Sequence, residues 1–133
     1  VHDFLTVGCA APLQEAVIPA LEFGQDYYDA LLAKYTHKKD LFLKGLDDLH
    51  ISHNDPEGAY YVLLDIREYG YESDLQFCKN LAREVGVGAV PGSSFFREPV
   101  NHLIRFHFAK RDETLCAALN RLEAIRKKIP ARK

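Results

Sequence analysis

The spacing of apolar residues changes character along this chain of 133 residues. In PLQEAVIPALE, residues 12 to 22, Leu13, Ala16, Val17, Ala20 and Leu21 recur at helical spacing, and Pro12 stands where a helix start accepts proline best. Pro19 opposes that pattern because it deletes a backbone donor and crowds the preceding turn, so a kink, or an end near Ile18, is expected. After Gly24 the pattern restarts, with Tyr28, Tyr35, Phe42 and Leu49 at seven-residue intervals and Leu31, Leu32 and Leu46 in the same stripe. With Asp26 as N-cap this predicts a helix to about Leu49, on the order of 35 Å long at 1.5 Å per residue. Helices of that length commonly span or join two bodies.

HISHNDPEG, residues 50 to 58, has the composition of a turn, and AYYVLLDI, residues 59 to 66, is apolar on both faces, as a central strand is. Ser73 and Gln76 make a capping box ahead of a helix carrying Leu75, Cys78, Ala82 and Val85, with a stop at Gly86. Gly88-Ala89-Val90 has room only for a short strand before the Pro91-Gly92 turn, and residues 93 to 101 read as a loop. In HLIRFHFAK, residues 102 to 110, strand alternation puts Ile104, Phe106 and Phe108 on one face and Leu103, Arg105 and His107 on the other. The last helix opens with Asp112 and Glu113, carries Leu115, Ala118, Leu119, Leu122 and Ile125, and closes on Arg126, Lys127 and Lys128, charges that suit its dipole. This order predicts an α+β fold: a small antiparallel or mixed sheet with helices packed on one face, preceded by the long helix.

Composition narrows the function classes. With 47% apolar residues, 27% charged residues and a net charge of −2, the chain has no basic excess to hold nucleic acid or an anionic membrane. Its apolar runs fall far short of the roughly 20 residues that cross a bilayer, and Val1 opens no signal pattern. Cys9, Cys78 and Cys116 are odd in number, lack CxxC spacing and lie in apolar patterns, so free, buried thiols in a reducing cytoplasm are expected. The absence of methionine leaves two explanations, a removed initiator or a piece of a longer protein.

Several residues invite a chemical reading. The segment from Gly86 to Gly92 resembles a phosphate loop, but it follows a helix and precedes a strand, the reverse of the dinucleotide fingerprint; helix stop and turn explain its glycines. His50 and His53, or His102 and His107, lack a third convergent ligand, so no metal site is expected. Ser93, Ser94 and Cys9 lack a base at a recognisable spacing, so covalent catalysis finds no support. Arg105 aims away from the core. It pairs with a neighbouring carboxylate, lays its stem across apolar surface, or grips a ligand carboxylate with two parallel hydrogen bonds, which lysine cannot do. Spacing alone leaves these open.

Four stretches together resemble the class I and II pyridoxal-phosphate-dependent aminotransferases, in the aspartate, methionine and kynurenine branch. They are TVGCAAPLQEAV (6 to 17), GAYYVLLDI (58 to 66), VGVGAVPGSSFF (85 to 96) and HLIRFHFAKRDETLCAALNRLEAI (102 to 125), in order, as in the C-terminal third of such enzymes. The resemblance implies that residues 1 to 23 are the tail of the large cofactor-binding domain and residues 24 to 133 the small C-terminal domain, including the connector helix. It implies that Arg105 binds the substrate α-carboxylate in reversible amino transfer between an amino acid and a 2-oxo acid, a reaction of amino acid metabolism. A homodimer is implied, with Val7 and Gly8 lining the partner subunit's pocket, less filled there than in relatives that handle aromatic substrates.

The Schiff-base lysine, the aspartate on the pyridine nitrogen, the ring-stacking aromatic and most phosphate contacts are implied to lie upstream. Lys34, Lys38, Lys39 and Lys44 do not replace that lysine, so the chain alone is expected to be inactive. Pro19 departs from the family pattern. The competing expectation is a stand-alone α+β module that binds a carboxylate or dimerises without a cofactor.

Overall fold

Helix α1, Ala11–Leu21, continues three residues past Ile18, the end that Pro19 suggested. The computed structural model describes residues 10–129. Pro19 falls in the last turn, where it removes a single backbone bond, and the Glu22 N–H closes the end on the Pro19 carbonyl at 3.2 Å. The helix buries none of its residues.

Helix α2, Gln25–Asp48, is 24 residues long, about 36 Å at the standard rise. It begins two residues earlier than an Asp26 cap would set it, so Asp26 sits inside the first turn, near the positive end of the dipole, rather than at the cap. Its apolar stripe has two fates. Leu31 and Leu32 are exposed, whereas Phe42, Leu43 and Leu46 are buried. The chain divides within this helix into two compact units, Val1–Lys34 and Tyr35–Lys133. The helix ends on His50 at φ +54, where the Ile51 N–H reaches the Leu46 carbonyl at 3.0 Å and the His50 N–H reaches Asp47 at 2.8 Å, a Schellman closure.

The second unit holds a three-stranded sheet in the order β1-β3-β2, with β1 Tyr61–Asp65, β2 Val90–Pro91 and β3 Leu103–His107. Both pairings are antiparallel, so the alternative of a mixed sheet falls away. Strand β2 starts later than the glycines suggested, because only Val90 and Pro91 face Arg105 and Ile104. The outer edge of β1 is covered by residues 52–54: the Asp65 N–H bonds Ser52 at 2.9 Å and the Asn54 N–H bonds Leu63 at 3.0 Å.

Alternation decides what the sheet buries. Val62 and Leu64 of β1 and Ile104 and Phe106 of β3 join one core with Phe42 and Leu46 of α2. Helix α3, Asp74–Asn80, adds Phe77 and passes into a single π turn, Leu81–Val85, which Gly86 ends at φ +79. Only glycine takes that conformation without strain. Ser73 caps α3 by accepting the Gln76 N–H at 3.3 Å, but the Gln76 side chain turns to Asn80, so half of the expected capping box forms. The final helical stretch is interrupted: α4, Asp112–Leu122, and α5, Ile125–Lys128, are separated by a turn at residues 123 and 124.

Asp112 ties α4 to α2, accepting from Lys38 Nζ at 3.0 Å and His37 Nε2 at 2.8 Å. Lys38 also donates to the Lys110 carbonyl. Cys78 is buried, and burial pushes its thiol up to about 11. Cys116 is exposed, contrary to the expected burial, because it lies on the outward side of α4. Cys9 lies outside the described residues.

Candidate functional site

Arg105 is the middle residue of the middle strand, opposite Leu63 on β1 and Val90 on β2. Its neighbours Ile104 and Phe106 are buried, so its side chain leaves by the other face, as alternation predicts. There the guanidinium lies between two rings, with Cζ 4.3 Å from the centroid of Tyr61 and 3.8 Å from that of Phe95. Tyr61 faces His107 across the β1 and β3 ladder and so stands on the diagonal to Arg105, within reach of a long side chain.

Contact of this kind is made by the guanidinium carbon over the ring face and does not itself consume the N–H donors. Among the described residues, no carboxylate pairs with Arg105 and no acceptor takes a hydrogen bond from it. The expected alternative of a carboxylate neighbour therefore does not occur among them, and aromatic packing does. Other arginines are differently placed: Arg67 grips Asp65 with Nε at 2.8 Å, Arg126 binds Glu68 at 3.0 Å, and Arg121 donates to the Gly86 carbonyl at 2.8 Å.

Two cavities border Arg105. One, of about 400 Å³, lies over Tyr61, Leu63, Phe95, Phe96 and the turn from Asn54 to Gly58. The other, of about 600 Å³, lies between Gly86–Val90, β3 and α4, with His107, Lys110 and Arg121 at its border. Burial, Lys110 and Arg105 lower the pKa of His107, favouring the neutral ring. The Tyr60 and Tyr61 hydroxyls share a hydrogen bond at 3.0 Å, and this pairing raises the pKa of Tyr60.

The other candidates have local roles. His53 bonds Asp47 at 3.1 Å and the Asn54 carbonyl at 2.8 Å, and the carbonyls of His50 and His102 accept from Arg126 and Ile66. Among the described residues, no three His, Cys, Asp or Glu side chains converge on a metal position. The Ser93 hydroxyl donates to Asp74 at 3.1 Å, and its N–H to the same carboxylate at 2.7 Å. Gly92 lies so close to β3 that a Cβ there would stand 2.5 Å from the Leu103 carbonyl oxygen. Val7 and Gly8 lie outside the described residues. Sequence reasoning missed Tyr61, Phe95 and Asp74. Tyr61 had a signal, since it shares the alternation of Leu63; Phe95, in an irregular loop, had none.

Comparison with known proteins places this chain in a family. The description "Aminotransferase class I and II" matches residues 1–122. Methionine aminotransferase of Escherichia coli is 36% identical over 126 residues, covering 94% of this chain and 33% of that protein. The structure of N-succinyldiaminopimelate aminotransferase from Mycobacterium tuberculosis superposes with a TM-score of 0.82 at 35% identity, covering 92% of this chain and 33% of that one. The methionine aminotransferase structure from E. coli gives 0.79 at 36% identity, covering 92% and 32%. The chain thus spans about a third of the length of the relatives it matches. Sequence and fold agree over nearly its whole length, and the chain belongs to the class I and II aminotransferases.

Proposed function

We propose that this chain is the C-terminal part of a pyridoxal-phosphate-dependent aminotransferase, moving an amino group between an amino acid and a 2-oxo acid, and that Arg105 binds the substrate α-carboxylate. The observation that carries this reading is the guanidinium packed over the Tyr61 and Phe95 rings with its N–H donors unengaged by the described residues. A planar fork so held is suited to two parallel bonds to a carboxylate, and a two-point clamp fixes the rotation of the bound amino acid about its α-carbon.

The domain reading is a tail of the large domain over residues 1 to 23 and a small domain from residue 24 onward. It draws support from apolar side chains that the first unit leaves in solvent, among them Leu13, Leu21 and Leu32. Surface of that kind fits a chain whose relatives are three times as long. A homodimer, with Val7 and Gly8 toward the partner subunit's pocket, and a cytoplasmic location belong to the same proposal. The described helices contain no span long and apolar enough to cross a membrane.

The cofactor would supply electron withdrawal from the substrate. Its site is not assembled by the described residues: Lys38 and Lys39 on α2 are engaged with Asp112 and Asp55. This reading assigns the imine-forming lysine to the upstream part of the parent polypeptide and expects the chain alone to be inactive.

A second reading, a stand-alone carboxylate-binding or dimerisation module, draws on the continuous core of the second unit. Calorimetric titration of the chain with L-methionine and its 2-oxo acid separates the two. The fragment reading expects no measurable heat of binding, and the module reading expects binding that Arg105→Ala abolishes. An upstream reading frame without a further lysine-bearing domain would sink the fragment reading.

A further inference from the structure

Among the described residues Asp74 is the one buried charged side chain, 2% exposed. It follows the Ser73 cap, where the N-terminal dipole of α3 favours a carboxylate, and Oδ1 accepts the Leu75 N–H at 2.8 Å. Those features account for an acidic residue here. Two further bonds leave the helix: Oδ1 takes the Ser93 hydroxyl at 3.1 Å and Oδ2 the Ser93 N–H at 2.7 Å, across 19 residues of sequence.

The segment so held is short and pinned at both sides. Gly92 rests on β3 with no room for a Cβ against the Leu103 carbonyl, and the Phe95 N–H closes the turn on the Gly92 carbonyl at 2.8 Å. Phe95 is 48% exposed. It stands outside the buried core, on a backbone anchored at Gly92 and Ser93. Its ring nevertheless lies 3.8 Å from the Arg105 Cζ, closer than the Tyr61 ring at 4.3 Å.

We propose that Asp74 is a positioning residue for substrate binding: through Ser93 it sets the turn so that Phe95 covers one face of the Arg105 guanidinium and holds its plane for a carboxylate arriving at the rim. This rests on the reading of Arg105 as the carboxylate clamp. Without the anchor the charge stays but the guanidinium plane is free to turn, so the carboxylate is held less tightly.

The test uses the full-length parent enzyme with L-methionine as donor. Asp74→Ala and Phe95→Leu each raise KM by about 10-fold with kcat within about twofold, the pattern of lost binding. The double variant is no worse than the poorer single, because both act through one contact. Asp74→Asn keeps one acceptor for Ser93 and recovers part of the loss. Arg105→Ala, run alongside, loses about 100-fold or more in kcat/KM, as a broken charge-assisted pair requires.

If Asp74→Ala lowers Tm but leaves KM unchanged, or if its effect multiplies with that of Phe95→Leu, the positioning role is overturned while the Arg105 reading stands. If Arg105→Ala leaves kcat/KM unchanged, the underlying reading falls, and this proposal with it. Should Asp74→Ala fail to fold, Ser93→Ala, which removes only the hydroxyl bond, takes its place in the same comparison with Phe95→Leu.

Discussion

Replacing Arg105 by lysine and by alanine separates charge from geometry at the proposed clamp. In the native chain the guanidinium is stacked on two rings, at 4.3 Å and 3.8 Å from their centroids. Each contact is worth about 0.5 to 1 kcal/mol at a partly exposed site. Alanine therefore removes about 1 to 2 kcal/mol of folding stability from the two contacts together. For substrate the loss is larger. A hydrogen bond to a charged group contributes about 1.5 to 3 kcal/mol, so losing a two-bond clamp at this half-buried site costs about 3 kcal/mol or more. At 1.36 kcal/mol per tenfold change, that is roughly 150-fold in kcat/KM. Lysine keeps the charge but has one compact head and no plane to stack, so about half the loss, roughly 10-fold, is expected. Steady-state kinetics of the parent enzyme with its amino donor, beside thermal unfolding of each variant, measure both effects. Unchanged kcat/KM in Arg105→Ala, or a lysine variant as active as the native enzyme, would refute the clamp.

Gly92→Ala places a Cβ 2.5 Å from the Leu103 carbonyl oxygen, a backbone atom that cannot swing away. A loss of about 1 to 3 kcal/mol is expected in urea unfolding, the usual range for overpacking, and an unchanged midpoint means the turn yields freely. Along α2, Leu46→Ala, at 0% exposure, costs about 3 kcal/mol, whereas Leu32→Ala, at 68%, is nearly neutral in the isolated chain. In the parent enzyme Leu32→Ala becomes destabilising if the upstream domain covers it, and equal neutrality in both contexts argues against the domain reading.

Stability also depends on acid. The hydrogen bonds from Arg67 to Asp65, and from Lys38 and then His37 to Asp112, hold both carboxyls below the usual carboxylate range. With folded pKa values lowered, their contribution is complete above the unfolded value of about 3.9 and is lost as pH falls through the folded values. Urea midpoints should therefore fall in that acidic window, and Asp65→Asn should flatten the fall; a variant curve parallel to the native one contradicts the assignment.

Much of the local structure was legible in one dimension because it depends on periodicity and on the chemistry of single residues. Alternation gave the direction of Arg105, the stripe from Tyr28 to Leu49 predicted a helix observed as Gln25–Asp48, and Gly86 marked a stop that its φ of +79 explains. Errors arose where a local rule met its surroundings. Of the two outcomes expected at Pro19, an end near Ile18 does not occur, because the proline stands in the last turn and removes only one bond, and Cys116 is exposed although its neighbours are apolar. The four matched stretches pointed to the family, and family and fold comparisons agree with that resemblance.

By itself the sequence determined the elements, the face on which Arg105 emerges and the aminotransferase kinship, since each is written in spacing or residue identity over short stretches. Tertiary structure alone decided what surrounds that arginine. Tyr61 reaches it through the β1 and β3 register, and Phe95 through a turn that Asp74 anchors from the start of another helix. Such contacts join residues distant in sequence, and no period along the chain encodes them; they exist only once the core formed by Val62, Leu64, Ile104 and Phe106 has brought the strands into register.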